Sequence, residues 1–214
     1  MTVSVVSVSA RGKDEVSVSF EIRQGEAVQK ESFIIGVSEL ADLKISVGEC
    51  SRETFDAVAL AADRYTALKA GLSVLSYGAY SRKELCRKLI QRGISRQIAS
   101  DTADTLSELG YIDEDADAFR EAQRSVSKLW GKKRIYAHLL QKGYSDEAAR
   151  RAIYALEDEG VDFSELCVRR LRQRSSSIPS DCGERQRLIA SLMRYGFSMT
   201  EIKAAMKNAY EESE

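Results

Sequence analysis

Three segments of this 214-residue chain are variants of one another, and that recurrence constrains the fold more than any other feature. SRKELCRKLIQRGIS (81–95), KKRIYAHLLQKGYS (132–145) and ERQRLIASLMRYGFS (184–198) each set apolar residues four apart: Leu85 with Leu89, Ile135 with Leu139, Leu188 with Leu192. Each closes on glycine, a bulky apolar residue and serine: Gly93-Ile94-Ser95, Gly143-Tyr144-Ser145, Gly196-Phe197-Ser198. The glycines lie 50 and then 53 residues apart, and the extra three fit the polar stretch SSSIPS. Such a period belongs to tandem arrays of one supersecondary element.

The closing triplet has a physical reading. Glycine takes the left-handed position that ends a helix, since it has no Cβ to clash there. The apolar residue folds back on the helix just ended, and the serine oxygen accepts from the free N–H groups of the next helix. Ser198 with Glu201, and Ser81 with Glu84, have the spacing of full capping boxes. A further helix precedes each pair, over 64–77, about 115–129 and about 162–174, so each repeat is a helix trio. The only proline, Pro179, lies in SSSIPSDCG, which reads as a flexible connection.

The first 37 residues differ. Val3, Val5 and Val8, then Val16, Val18, Phe20 and Ile22, alternate with polar residues, the signature of half-buried strands. Arg11 to Asp14 and Gln24 to Glu26 supply turns, and a third strand near 32–35 completes a meander. Such a sheet needs a cover on its apolar face. Ser38 to Leu43 and the helix from about Ser51 are the candidates, and apolar residues recur at helical spacing from Arg52 to Tyr77. The expected fold is mostly α: three tandem three-helix, helix-turn-helix-like repeats forming an elongated array, preceded by a small antiparallel β-meander. The division is a β-rich piece at 1–50, then repeats at 51–113, 114–160 and 161–214.

Composition narrows the function. An apolar share of 43% suits ordinary cores, and a net charge of -1 argues against a chain that holds nucleic acid through bulk charge. Charged residues interrupt every apolar stretch well short of the ~18 needed to span a bilayer. The opening MTVSVVSVSARGKDE lacks the basic region and solid apolar core of a signal peptide. A cytoplasmic protein without membrane contact is expected. The cysteines, Cys50, Cys86, Cys167 and Cys182, include no C-x-x-C pair, and His138 is the only histidine, which excludes the common structural zinc patterns. Buried reduced thiols are the expectation, with no cofactor and no metal.

No catalytic constellation emerges. His138 sits at helical spacing between Ile135 and Leu139 and reads as a surface or boundary residue. Gly110 and Gly160 end acidic helices and belong to no phosphate loop. Asp113, Glu114, Asp115 and Asp117 lack EF-hand spacing and read as acids at a helix start. Paired helices with a glycine turn suggest a helix-turn-helix DNA reader. However, the second helix of the first repeat carries Asp101, Asp104 and Glu108, wrong for an approach to phosphates.

Basic residues gather elsewhere. Residues 1–60 hold 6 basic and 10 acidic residues, whereas 61–214 hold 26 and 23. The candidate partner-binding set is Arg82, Lys83, Arg87 and Lys88 in the first repeat, Lys132, Lys133, Arg134, Arg150 and Arg151 in the second, and Arg169 and Arg172 in the third. Recurrence at equivalent places suggests a discontinuous basic stripe for a nucleoprotein or an acidic protein groove. Trp130 reads as packing at the join before the second middle helix, with base stacking as the sharper alternative.

The segments AGLSVLSYGAYSRKELCRKLIQRGIS, LSELGYIDEDADAFREAQ and WGKKRIYAHLLQKGYSDEAARRAI, in this order, resemble the RecX family of bacterial recombination regulators. Tyr111-Ile112-Asp113-Glu114 with Ala118-Phe119 stands for the family's middle motif, and Gly131, Arg134, Ile135, Leu139, Lys142 and Gly143 for its last. The resemblance covers about 67–210. Two positions depart: Tyr77-Gly78-Ala79-Tyr80 replaces an arginine-rich lead-in, and His138 stands where an acidic residue is common. The resemblance implies a non-enzymatic, monomeric modulator, tied to DNA repair and the SOS response. Its partners would be a RecA-type recombinase filament, in whose groove it lies, and single-stranded DNA, bound weakly without sequence preference. It would limit filament extension, ATPase and strand exchange. The alternative is a helix-turn-helix-like DNA-binding transcriptional regulator.

Overall fold

The computed structural model describes residues 2–175 and 179–211. The chain forms two compact units. One takes the chain up to Gly78 together with Leu85–Tyr111; the other takes Ala79–Glu84 and the described chain from Ile112 onward.

The first unit opens with β1 (Thr2–Ala10), β2 (Glu15–Gln24) and β3 (Ala27–Gly36). These are antiparallel neighbours, and a fourth short strand, β4 (Gly48–Cys50), closes the order β3-β2-β1-β4. The alternation places Val3, Val5, Val16, Val18, Phe20 and Ile35 on the buried face. β4 was not expected, because three residues are too few to show a period. It pairs Cys50 with Val3 and Gly48 with Val5. Helix α1 (Val37–Leu43) follows β3, and α2 (Arg52–Leu75) follows β4. Phe55, Val58, Ala61 and Ala62 of α2 cover the sheet. Phe20, Phe33 and Phe55 meet edge-to-face at centroid distances of 5.0 to 5.9 Å, the favoured geometry for aromatic quadrupoles.

Helix α2 serves two layers. Its first half roofs the sheet, and its second half leads the first trio with α3 (Arg82–Gln91) and α4 (Arg96–Glu108). The leading helix expected at 64–77 is therefore the later part of one helix that starts at Arg52. Ala67, Gly71 and Val74 are buried, as are Leu85, Leu89, Ala99, Ala103 and Leu106. A Cβ on Gly71 would lie 2.6 Å from Leu106 Cδ1, so glycine permits the close approach of α2 and α4.

The second unit holds the other two trios: α5 (Glu114–Ser127), α6 (Lys132–Gln141) and α7 (Asp146–Asp158), then α8 (Phe163–Arg174), α9 (Cys182–Arg194) and α10 (Met199–Glu211). One continuous apolar core runs through both, from Ala118 and Ala122 through Ile135, Leu139 and Leu156 to Leu192, Phe197 and Ile202. Of the connection at SSSIPSDCG, residues 176–178 lie outside the described residues, as do 212–214 at the end of the third repeat.

The helix ends follow the triplet chemistry. Gly93, Gly143 and Gly196 have φ of 88°, 89° and 93°. After each, the apolar residue's N–H reaches the carbonyl five residues back: Ile94 to Leu89 at 3.2 Å, Tyr144 to Leu139 at 3.1 Å, Phe197 to Leu192 at 3.3 Å. This is the Schellman pattern. Ser95, Ser145 and Ser198 then accept from the N–H groups of Ile98, Ala148 and Glu201. Ser198 completes its capping box, its own N–H donating to Glu201 Oε2 at 2.6 Å.

Candidate functional site

The middle helices α3, α6 and α9 carry the repeated sequence, and within the second unit their ends connect. Gly131, at the front of α6, donates its N–H to Tyr195 O at 2.8 Å, and Lys133 N–H donates to Gly196 O at 3.2 Å. The free donors at the start of one helix thus satisfy free carbonyls at the end of another. The backbones touch. A Cβ on Gly131 would fall 2.5 Å from Gly196 C, and one on Gly196 would fall 2.4 Å from Arg134 N. An equivalent joint sits one repeat earlier. Ser81 Oγ accepts from Glu84 N–H at 3.2 Å and donates to Lys142 O at 2.8 Å, beside the Gly143 turn.

A ladder of cations and rings flanks the Gly131 joint. The Arg134 guanidinium lies 4.2 Å from the Trp130 ring centroid and 4.8 Å from that of Tyr195. Arg170 stacks on Tyr195 at 3.6 Å, and Lys128 approaches Trp130 at 5.0 Å. Arg170 also donates to Gln173 at 3.1 Å, while its Nε is buried with no hydrogen-bond partner. Trp130 packs partly buried against the core and meets His138 edge-on at 5.1 Å.

His138 is a half-buried boundary residue, and its Nε2 lies 2.8 Å from Glu121 Oε1. Burial pushes the Glu121 carboxyl up. The His138 hydrogen bond, with Lys142 and Arg124 nearby, outweighs this and holds it below its ordinary 4.5. Glu121 belongs to a buried polar row on α5, Asp117, Glu121 and Ser125, at four-residue spacing. Asp117 pairs with Arg120, and Ser125 Oγ donates to Glu121 O at 3.0 Å.

The candidate cations have varied surroundings. Arg82, Lys83 and Arg87 are exposed on α3, and Lys88 is half-buried. Lys132 is half-buried, pairs with Glu157 and lies 5.2 Å over the Phe163 ring. Lys133 is exposed, whereas Arg134 is held in the ladder. On α7, Arg150 pairs with Asp146 at 2.7 Å, and Arg151 reaches Asp115 at 2.9 Å and Glu147 at 3.6 Å. Arg169 and Arg172 are exposed on α8. Among the described residues, Lys83, Lys133 and Arg169 form no ion pair. Sequence reasoning did not find Glu121, Tyr195 or the Gly131–Gly196 contact; only the four-residue spacing of the α5 row offered a signal.

The cysteine expectation needs correction. All four are free, but only Cys167 is buried; Cys50 and Cys86 are half-buried and Cys182 is exposed. Burial pushes the Cys167 thiol to about 12, and likewise the Tyr144 hydroxyl to about 12. Among the described residues, no group of three His, Cys, Asp or Glu side chains could hold a metal ion, and no helix is long and apolar enough to cross a membrane.

No family model matches the chain. It is 31% identical over 134 residues to Regulatory protein RecX of Chromohalobacter salexigens, covering 63% of this chain and 86% of that protein. It is 30% identical over 146 residues to Regulatory protein RecX of Halorhodospira halophila, covering 68% of this chain and 89% of the relative. Among solved structures, a crystal structure of regulatory protein RecX superposes with a TM-score of 0.73 at 19% identity, covering 96% of this chain and 99% of that one. RecX from Lactobacillus salivarius gives 0.59 at 26% identity, covering 69% and 96%.

Proposed function

Since the chain belongs to the RecX family of regulatory proteins, we propose that it binds the RecA-type recombinase filament on single-stranded DNA and restrains it. In this reading it lies in the filament groove as a monomer, in the cytoplasm, and lowers filament extension, ATPase and strand exchange without catalysing a reaction. Family membership carries the proposal, and the threefold repeat supports it. A filament presents one protomer surface over and over, and a ligand of repeated blocks meets it with many weak contacts that add through effective concentration. Arg82, Lys83, Arg87, Lys88, Lys132, Lys133, Arg134, Arg150, Arg151, Arg169 and Arg172 are the proposed cationic contributors. Contacts to the DNA are weak, salt-sensitive and without base preference, because lysine and arginine meeting phosphates read charge and not sequence.

The test is recombinase ATPase on single-stranded DNA with and without the full chain. A rate that falls with added protein, and filaments that stop lengthening, are expected. An unchanged rate at protein equimolar with recombinase overturns the proposal. Tight duplex binding at physiological salt with clear base preference would instead favour a transcriptional regulator.

A further inference from the structure

Ile90, Leu140 and Met193 are 38%, 38% and 48% exposed, and they occupy the same position in three copies of the repeat. Each is the position whose carbonyl accepts the N–H of the helix-ending glycine: Gly93 to Ile90 at 2.9 Å, Gly143 to Leu140 at 3.0 Å, Gly196 to Met193 at 2.9 Å. Four residues before each stands a half-buried residue: Cys86, Tyr136 and Ile189. Seven before stands an exposed polar one: Lys83, Lys133 and Gln186. Spacings of four and seven put all three on one side of a helix. Each middle helix therefore shows an outward strip, apolar at its C-terminal end and, in the first two repeats, cationic at its front.

The cores do not explain the strip. Leu85 and Leu89, Ile135 and Leu139, and Leu192 are fully buried, with Leu188 nearly so, and they supply the inward side of these helices. A single exposed aliphatic residue is ordinary on any protein. The same exposure at the same turn of every repeat, beside lysines without ion pairs in two of them, calls for a common cause.

We infer that the apolar ends of these strips, Ile90, Leu140 and Met193, are a thrice-repeated docking surface for the protein subunits of the filament, not for its DNA; the inference rests on the filament reading above. Phosphates are met by Lys, Arg and N–H groups, and single-stranded bases by exposed aromatic platforms. Ile90, Leu140 and Met193 offer neither, and the one aromatic residue in the strips, Tyr136, is half-buried with the Arg150 guanidinium 5.7 Å from its ring centroid. The fitting partner surface is an apolar recess, one per protomer. Each strip is small and binds weakly, and the repeat supplies the affinity.

The test compares the wild-type chain with the triple variant Ile90→Gln, Leu140→Gln, Met193→Gln. Binding is measured to recombinase filaments on labelled single-stranded DNA and to the same DNA without recombinase. Filament affinity is expected to fall at least about tenfold, with affinity for the bare DNA unchanged within about twofold and the melting midpoint preserved. Equal filament binding by wild type and variant overturns the surface alone. A parallel loss on bare DNA also overturns it, by assigning the strips to DNA. A wild-type chain that leaves filaments unbound overturns the filament reading and this surface with it. A benzophenone amino acid at position 140, in an otherwise unchanged chain, keeps the test decisive if the triple variant melts early. Photocrosslinks to recombinase protein are expected, and crosslinks to DNA, or none on bound filaments, overturn the inference.

Discussion

At the scale of single residues, glycines make the sharpest tests. Gly160 and Gly196 both have positive φ, 86° and 93°, but only Gly196 faces another backbone. Gly160→Ala pays for the left-handed conformation alone, about 1–2 kcal/mol. Gly196→Ala meets Arg134 N as well and should lose more than about 2 kcal/mol. Urea unfolding of the two variants checks the ordering, and equal losses would contradict the Gly131–Gly196 contact. Glu121 gives a pH test. Its carboxyl is held below its ordinary 4.5 in the folded chain, so its pairing stabilises above that value and is lost as pH falls through the lower folded value. The melting gap between wild type and Glu121→Gln should be widest near neutral pH, about 1–2 kcal/mol, and should close below about 4.5. A gap that stays constant across this range would remove the ionised carboxylate from the explanation. The glycine positions were legible because a Gly-apolar-Ser run states its own local geometry. The Glu121–His138 pair was not, since the partners lie 17 positions apart and the four-residue spacing of the α5 row does not say what that row faces.

Elements extend the same distinction. Alternation marked β1 and β2 because each is long enough to show a period, whereas β4 is held by its pairing with β1 and nothing local announces it. The helical periodicity of α2 was readable from Arg52, but its double role was not. The switch from covering the sheet at Phe55 and Val58 to packing against α4 at Gly71 depends on what lies opposite. The Trp130, Arg134, Tyr195 ladder is likewise tertiary, joining α6 to the end of α9 across some 60 residues of sequence. Arg134→Ala and Tyr195→Ala should each destabilise by about 1–2 kcal/mol and be non-additive in a double-mutant cycle; additive losses would mean that the stacking carries no energy. Among the cations, Lys83→Glu with Lys133→Glu is the clean charge reversal, since neither ammonium is paired, and it should weaken filament inhibition at an unchanged melting midpoint. Lys132→Glu would face Glu157 and lower that midpoint by like-charge repulsion, so its effect on inhibition would mix two causes.

For the whole molecule, the sequence period and the packing are different partitions. The period marks three blocks, but the second and third share one core from Ala118 to Ala205. Amide exchange should therefore show α5–α7 and α8–α10 opening with one common free energy. Separate protection levels for the two trios would show that the shared core does not couple them. Periodicity made the helical class and its β preface legible, whereas the common core required knowing that the Gly196 turn seats on Gly131. That seating has a direction. The tail of α9 grips the front of α6, and the tail of α6 grips residues 81–84. Among the described residues nothing seats on the front of α9, where 181–187 are all exposed. An engineer who wished to lengthen the protein would thus append a copy behind α10 and let its glycine corner latch onto Asp181–Glu184.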